Sequence, residues 1–329
     1  MRKTLVVVTA VFLLFAAIAI ALFFLLKAPG GPKVSVILDF FANPNHVPLY
    51  VAAEKGFFTA EGIEVEILIP ADPSDPLKLA AARTTEVALS PQINFLIARD
   101  AGLPLLAIGA LIETPLGGLL SMKEYGIDEL SDLRGHRIGY SLAPLEPILW
   151  RTMLGSVGVG AEEFELINVG FNTVSALLSH HVDAIGAFRN FELIQVGLLG
   201  REPIFFPQED YNVPDTYEII LAVNPQLIAE RHSELRALMA GLQRGIAYTK
   251  ENPQEAIEIF FEANPDLDDA LNRHAYTATV PLYADGARHD DEDKWERMQE
   301  YLFQSGLIDV KFPLGKLYTD EFLKDIEGR

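Results

Sequence analysis

Within DFFANPNHVPLYVAAEKGFF, Asp39 to Phe58, a carboxylate (Asp39), two amides (Asn43 and Asn45) and an imidazole (His46) crowd into one short stretch beside Phe40 and Phe41. Such groups can do acid–base chemistry or read the edge of a bound molecule. His46 has no serine or cysteine nucleophile beside it in a recognisable frame, so general-base catalysis finds no partner here. Similar groups recur along the chain: Ser90 with Gln92, Glu113 with Thr114, Ser141, Phe171 with Asn172, and Asn190 with Glu192. Singly, each is an ordinary turn or cap residue. Interleaved with Phe40, Phe41, Phe171 and Phe188, they suit a flat aromatic ligand, with rings on its faces and amides and carboxylates along its edge. A carboxylate matches an aminopyrimidine, because it accepts from the amino group and from a protonated ring nitrogen.

Two other clusters read as ordinary structure. His180-His181 are adjacent, so on a helix their rings point apart and chelate poorly. His289-Asp290-Asp291-Glu292-Asp293 reads as a solvated charge run at a helix start rather than a metal site. The chain has no Gly-rich phosphate loop and no cysteine, which excludes disulfides, thiolate metal sites and thiol nucleophiles. The expectation is a binding site without catalytic residue, metal or cofactor. The formal charge is −20 over 329 residues. Arg2, Lys3 and Lys27 lie in the first 27 residues and leave the rest at −23. That balance repels nucleic acid and anionic lipid surfaces.

The elements that must position these groups alternate between strand and helix patterns. Val34–Phe40, Ile63–Ile69, Glu86–Leu89 and Leu105–Ile112 read as strands. Helical spacing covers His46–Gly56, where the segment reads as amphipathic, Leu77–Arg83 and Gln92–Ala101. The pattern restarts after Met122, with strands expected at Arg137–Tyr140, Glu165–Val169, Asp183–Phe188 and Pro203–Phe206 and helices between them. Tyr217–Val223 is a further strand, and most of the chain beyond it is helical. Serial βα units imply a mostly parallel sheet covered by helices, and two blocks imply two similar lobes. Ligands of open α/β sheets sit beyond the carboxyl ends of strands, which is where the candidate groups fall. The expected division is 34–120 plus 218–329 for lobe one and 121–217 for lobe two, with crossings near Leu119–Met122 and Tyr217–Ala222.

Ahead of the lobes, residues 5–26, LVVVTAVFLLFAAIAIALFFLL, carry no charge and follow Arg2-Lys3. About 20 apolar residues span a bilayer, and the run ends without a small-residue cleavage site. It reads as an uncleaved transmembrane anchor behind a cytoplasmic stub at 1–4, with a linker at 27–33. The positive flank places the remainder on the outer face of the cytoplasmic membrane.

DFFANPNHVPLYVAAEKGFFTAEGIEVEI resembles the opening signature of the pyrimidine-precursor branch of periplasmic solute-binding proteins: Asp-Trp-x-Pro-Asn-x-Asn-His, Gly- or Pro-Leu-Tyr-Val-Ala, then Lys-Gly-Phe-Phe. Asp39, Asn43, Asn45 and His46 match, while Phe40 replaces the tryptophan and Ala42 the proline. VALSPQINFLIARDAGLPLLAIGALI, LSDLRGHRIGY and VDAIGAFRNFELIQ follow in the expected order. The resemblance implies an α/β, two-lobed periplasmic-binding-protein fold of type II with the ligand cleft between the lobes. It further implies an ABC importer's permease and ATPase as partners. The implied cargo is the pyrimidine half of thiamine, as hydroxymethylpyrimidine or a formylaminopyrimidine. Tyr217, at the head of the return strand, joins the groups named above as a candidate ligand residue.

The same fold carries the fungal enzyme that makes this pyrimidine from histidine and pyridoxal phosphate, using a lysine, a sacrificial histidine and a cysteine-rich segment. Ser90 stands at the lysine position and Asn94 at the histidine position, and cysteine is absent. Related receptors take riboflavin, nitrate, sulfonates or taurine. The anionic cargoes want arginines or free helix N-termini near the cleft, and Arg189 is the only arginine at an expected strand end. A tethered sensor domain shares the sequence features of a receptor.

Overall fold

The computed structural model describes residues 31–141, 143–170 and 172–323. The expected anchor at 5–26, its stub and most of the linker lie outside the described residues, as does Phe171. Among the described residues no helix is long and apolar enough to cross a membrane.

Two five-stranded sheets organise the chain. The strands are β1 (Lys33–Ile37), β2 (Glu64–Leu68), β3 (Val87–Ser90), β4 (Leu106–Ile112), β5 (Gly117–Met122), β6 (Arg137–Tyr140), β7 (Glu165–Asn168), β8 (Ala184–Phe188), β9 (Pro203–Pro207) and β10 (Ile219–Val223). The first sheet runs β2-β1-β3-β10-β4 and the second β7-β6-β8-β5-β9. The first three strands of each order pair in parallel, while β10 and β5 run antiparallel to both neighbours. Each sheet thus takes, in the same place, the strand that enters from the other lobe.

Successive side chains of a strand point to opposite faces, and here both faces are covered. In the first sheet Val34, Val36, Val87, Leu89, Ile219, Leu221 and Val223 pack under the helices Val47–Glu54, His232–Glu251 and Pro253–Ala263. Ile37, Ala88, Ile220 and Ala222 face the helices Gln92–Asp100 and Glu292–Gln304. Burial on both faces is why these strands read as near-continuous apolar runs.

The Val47–Glu54 helix departs from its amphipathic reading. Val47, Leu49, Val51 and Ala52 are all buried, because later helices lie across it. A Cβ on Gly245 would come within 2.4 Å of the Pro48 carbonyl and 2.8 Å of Ala52 Cβ. Glycine at 245 therefore lets the long His232–Glu251 helix seat against the helix that carries the Asp39–His46 loop.

β5 corrects the expected lobe boundary. It pairs only within the second sheet, so the chain leaves the first lobe at 113–116 rather than near Leu119–Met122, and it returns ahead of β10. Thr114-Pro115 followed by Gly117-Gly118 carries turn chemistry and hides the strand. A Cβ on Gly118 would sit 2.3 Å from the Phe206 carbonyl oxygen and 2.6 Å from the Phe205 ring. That glycine is a packing requirement. Gly118→Ala should lower the unfolding free energy by about 1–3 kcal/mol, measured by urea denaturation. A variant as stable as wild type would show that β9 does not press on β5 in this way.

Candidate ligand-binding site

In both sheets the carboxyl ends of the parallel strands face the crossings. Ser90 at the end of β3 pairs with Ile220 near the start of β10, and Phe188 at the end of β8 pairs with Gly117 at the start of β5. The segments that join the lobes therefore run along the edges where a ligand of such sheets sits.

The densest polar unit lies where β1 gives way to the next helix. Pro44–His46 forms one 3-10 turn capped by Asn43, whose Oδ1 accepts the Asn45 amide at 2.9 Å and whose Nδ2 donates to the Phe41 carbonyl at 3.0 Å. The Asn43 amide donates to His46 Nδ1 at 3.2 Å. That makes Nδ1 the acceptor and leaves the proton on Nε2, which donates to Asp39 Oδ1 at 2.8 Å. His46 is fully buried with both nitrogens engaged. It orients Asp39 and is not a free base. The Tyr283 hydroxyl fixes the loop by donating to the Pro44 carbonyl at 2.6 Å. The Phe40 and Phe41 rings lie 4.1 Å apart between centroids, tilted by 44°, with Phe41 half exposed.

Asn45 and Asn190 meet across the lobes. Buried Asn190, two residues past β8, donates from Nδ2 to Asn45 Oδ1 at 2.8 Å and to Thr279 Oγ1 at 2.9 Å. A second link joins the Thr152 and Tyr301 hydroxyls at 2.8 Å.

The remaining candidates are spread over several local units. Glu192 opens the Glu192–Leu198 helix, where its Oε2 accepts the Phe188 amide at 2.8 Å and burial raises its carboxyl above the ordinary range. Ser141 donates to the Gly170 carbonyl at 2.7 Å and gives its amide to Glu146 at 2.6 Å. Ser90 donates to the Pro91 carbonyl, and Asn172 is exposed beside the Thr173–Leu178 helix. Gln92 and Tyr217 brace the return crossing. Gln92 Oε1 accepts from the Thr216 hydroxyl at 2.5 Å and the Tyr217 amide at 3.0 Å, and the buried Tyr217 hydroxyl accepts the Asp291 amide at 3.0 Å. Glu113 is exposed and borders a separate depression with Tyr217, Arg288 and Asp290. Among the described residues no hydrogen bond joins Ser141, Asn172 or Glu113 to the Asp39 unit. Asp291 caps the Glu292–Gln304 helix, as a helix-start run should. His289 is buried rather than solvated, and burial pushes its imidazole down to about 4.

Sequence reasoning missed Glu218, Glu209, Asp215 and Lys294 at the crossings. Glu218 Oε2 accepts the Leu116 amide at 2.7 Å, tying the outgoing segment to the returning one. Leu116 in turn accepts the Arg189 amide at 2.9 Å, and the Arg189 guanidinium is paired with Glu209. Lys294 also spans both crossings, donating to the Glu113 carbonyl at 2.9 Å and pairing with Asp215 at 3.1 Å. Burial pushes the Glu218 carboxyl up to about 7 against the pull of the Leu116 hydrogen bond, and the nearby Asp39 carboxylate adds to the rise. The sequence held a signal for it. An acid at the head of the apolar run EIILAV must have a reason to accept desolvation.

A family profile described as NMT1/THI5 like matches residues 43–256. The chain belongs to the NMT1/THI5-like family. A Haemophilus influenzae protein named for thiamine biosynthesis is 39% identical over 278 residues, 84% of this chain and 88% of that protein. The formylaminopyrimidine-binding protein of Halalkalibacterium halodurans is 30% identical over 278 residues, 82% of this chain and 84% of its own. The 4-amino-5-hydroxymethyl-2-methylpyrimidine phosphate synthase of Legionella pneumophila is 28% identical over 295 residues, 89% and 93% of the two chains. Among solved structures, the periplasmic aliphatic sulphonate binding protein of Escherichia coli matches with a TM-score of 0.69 at 12% identity, over 88% of this chain and 92% of its own. This NMT1/THI5-like chain therefore has the periplasmic-binding-protein fold that the resemblance implied.

The hinge acid of this NMT1/THI5-like chain makes stability depend on pH. Folded, Glu218 titrates at about 7, against an ordinary value of 4.5, so between those values the folded chain holds the extra proton. Stability contributed by this group thus falls as pH rises from about 4.5 to about 7 and is level above. Glu218→Gln removes the dependence. Its unfolding free energy relative to wild type should rise by about 2–3 kcal/mol between about pH 5 and about pH 8, read by urea denaturation at both. A difference independent of pH would return Glu218 to ordinary titration.

Proposed function

We propose that this chain is the solute-binding receptor of an ABC importer, held on the outer face of the cytoplasmic membrane through residues 5–26. Its two lobes close on a thiamine pyrimidine precursor of the hydroxymethylpyrimidine or formylaminopyrimidine type. The observation that carries this reading is the Asp39–His46 unit. His46 pins Oδ1 of the carboxylate, which leaves Oδ2 as an oriented acceptor for an amino group or a protonated ring nitrogen. Phe40 and Phe41 beside it offer ring faces to a flat heterocycle.

Charge supports the same cargo. Asp39 and Glu209 act on Glu218 as neighbouring acids, and Arg189, the cation beside them, pairs through one terminal nitrogen with Glu209. A sulfonate or nitrate needs an available cation, whereas a donor-rich pyrimidine edge meets acceptors. The name of the Halalkalibacterium relative points the same way.

The synthase name of the Legionella relative favours a second reading, an enzyme that makes this pyrimidine. The residues do not fit the cofactor chemistry that the resemblance attaches to it. Ser90 offers a hydroxyl bonded to the Pro91 carbonyl rather than an amine for a Schiff base with pyridoxal phosphate, and Asn94 offers no imidazole.

Calorimetry on the detergent-solubilised full chain tests the proposal. Wild type should bind hydroxymethylpyrimidine or formylaminopyrimidine, and Asp39→Asn should weaken that binding about ten- to a hundredfold. Preference for riboflavin or a sulfonate over both pyrimidines would overturn the receptor's assigned cargo. Pyrimidine product formed on incubation with pyridoxal phosphate and iron would install the enzyme in its place.

A further inference from the structure

We propose that Glu218 is the specificity-determining carboxyl of this site, a neutral acid that passes its proton to a ring nitrogen of the bound pyrimidine and holds the cation so formed. The inference rests on the pyrimidine-receptor reading and adds to it the group that selects the ligand's charge. Glu218 is buried one residue ahead of β10, where the returning segment meets the outgoing one. Its Oε2 holds the Leu116 amide. Among the described residues no other hydrogen bond reaches the carboxyl, so Oε1 is the oxygen left to meet a ligand.

The charged groups facing it come from every neighbouring element. Asp39 arrives from the end of β1 with His46 behind it, Arg189 from the end of β8, and Glu209 from the Gln208–Tyr211 turn. On the crossings themselves, Asp215 is held by Lys294, which also binds the Glu113 carbonyl. Arg189 is a cation acting on Glu218, and one of its terminal nitrogens pairs with Glu209. Burial beside other acids favours the neutral carboxyl, and Glu218 accordingly titrates at about 7.

Ring nitrogens of aminopyrimidines are weak bases, so the proton is shared between partners of comparable affinity. On binding, the O–H bond of Glu218 breaks and an N–H bond forms on the ring, and a neutral pair becomes a carboxylate and a pyrimidinium. The product is a charge-assisted hydrogen bond in a buried site. The new positive charge also offsets the repulsion between Glu218 and Asp39. An anionic ligand gains nothing from this exchange, nor does a flat hydrocarbon of the same shape.

Infrared difference spectroscopy on the full chain near neutral pH tests it, with 4-amino-5-hydroxymethyl-2-methylpyrimidine as the probe. Its addition should remove the carbonyl band of a protonated carboxylic acid and add carboxylate bands. Glu218→Gln should lack that change and bind the probe about ten- to a hundredfold more weakly by calorimetry. If the variant folds poorly, the wild-type spectrum alone decides. Wild-type binding with the acid band intact, or equal affinity in a folded variant, overturns the role of Glu218 and leaves the receptor reading standing. Absence of wild-type binding to either pyrimidine overturns both.

Discussion

Two stretches of chain join the lobes, and the hydrogen bond from the Leu116 amide to Glu218, at 2.7 Å, holds them side by side. Two adjacent connections are the arrangement that hinge rotation of one lobe against the other would use. A carboxyl in that position is costly. Burial alone disfavours its charge, and a single backbone hydrogen bond to a charged group returns only about 1.5–3 kcal/mol. Neutral amides or hydroxyls can hold a crossing at lower cost, as Gln92 does in bracing Thr216 and Tyr217 of the return segment. The acid is therefore better explained by what it can do for a ligand than by what it does for the fold.

The rest of the architecture depends on the same crossings. Because β5 and β10 each complete the sheet of the lobe they enter, neither lobe closes its core without chain that has passed through the hinge. The hinge is thus fixed by two apolar cores, and only the faces between the lobes are free to part. Those faces meet through neutral hydrogen bonds, Asn190 with Asn45 and Thr279, and Thr152 with Tyr301. Such bonds contribute about 0.5–1.5 kcal/mol each, little beside the two cores that they join.

Much of this was legible from periodicity. The parallel strands and their covering helices announce themselves as apolar runs bounded by turns, because burial on both faces leaves no alternation to misread. What escaped was set by tertiary contact. Gly117 and Gly118 look like a turn until the Gln208 side chain is seen against the first and β9 against the second. The Val47–Glu54 helix looks half-solvated until the His232–Glu251 helix lies over it. At the site, sequence could group Asp39, Asn43 and His46 but could not say that the Asn43 amide fixes the imidazole tautomer. Nor could it say that Asn43 and the Tyr217 hydroxyl spend their polar atoms on backbone. Polar residues at strand ends serve caps and ligands with the same atoms, and only geometry shows which oxygen is already taken.

A fold shared at 12% identity with a sulphonate-binding protein cannot itself decide the cargo, since function lives in the groups a site carries. Here, among the described residues, the arginine that acts on Glu218 is paired with Glu209. An anion approaching Arg189 would share it with Glu209, in a pair that is only partly buried, and would meet the acids around Glu218. Repulsion from those acids opposes an anion at this place. A ligand that brings hydrogen-bond donors meets no such penalty and finds the Asp39 carboxylate already oriented by His46. On the receptor reading proposed above, a preference for a donor-bearing heterocycle over an anion follows from one arrangement, an arginine paired with Glu209 and acids gathered around Glu218.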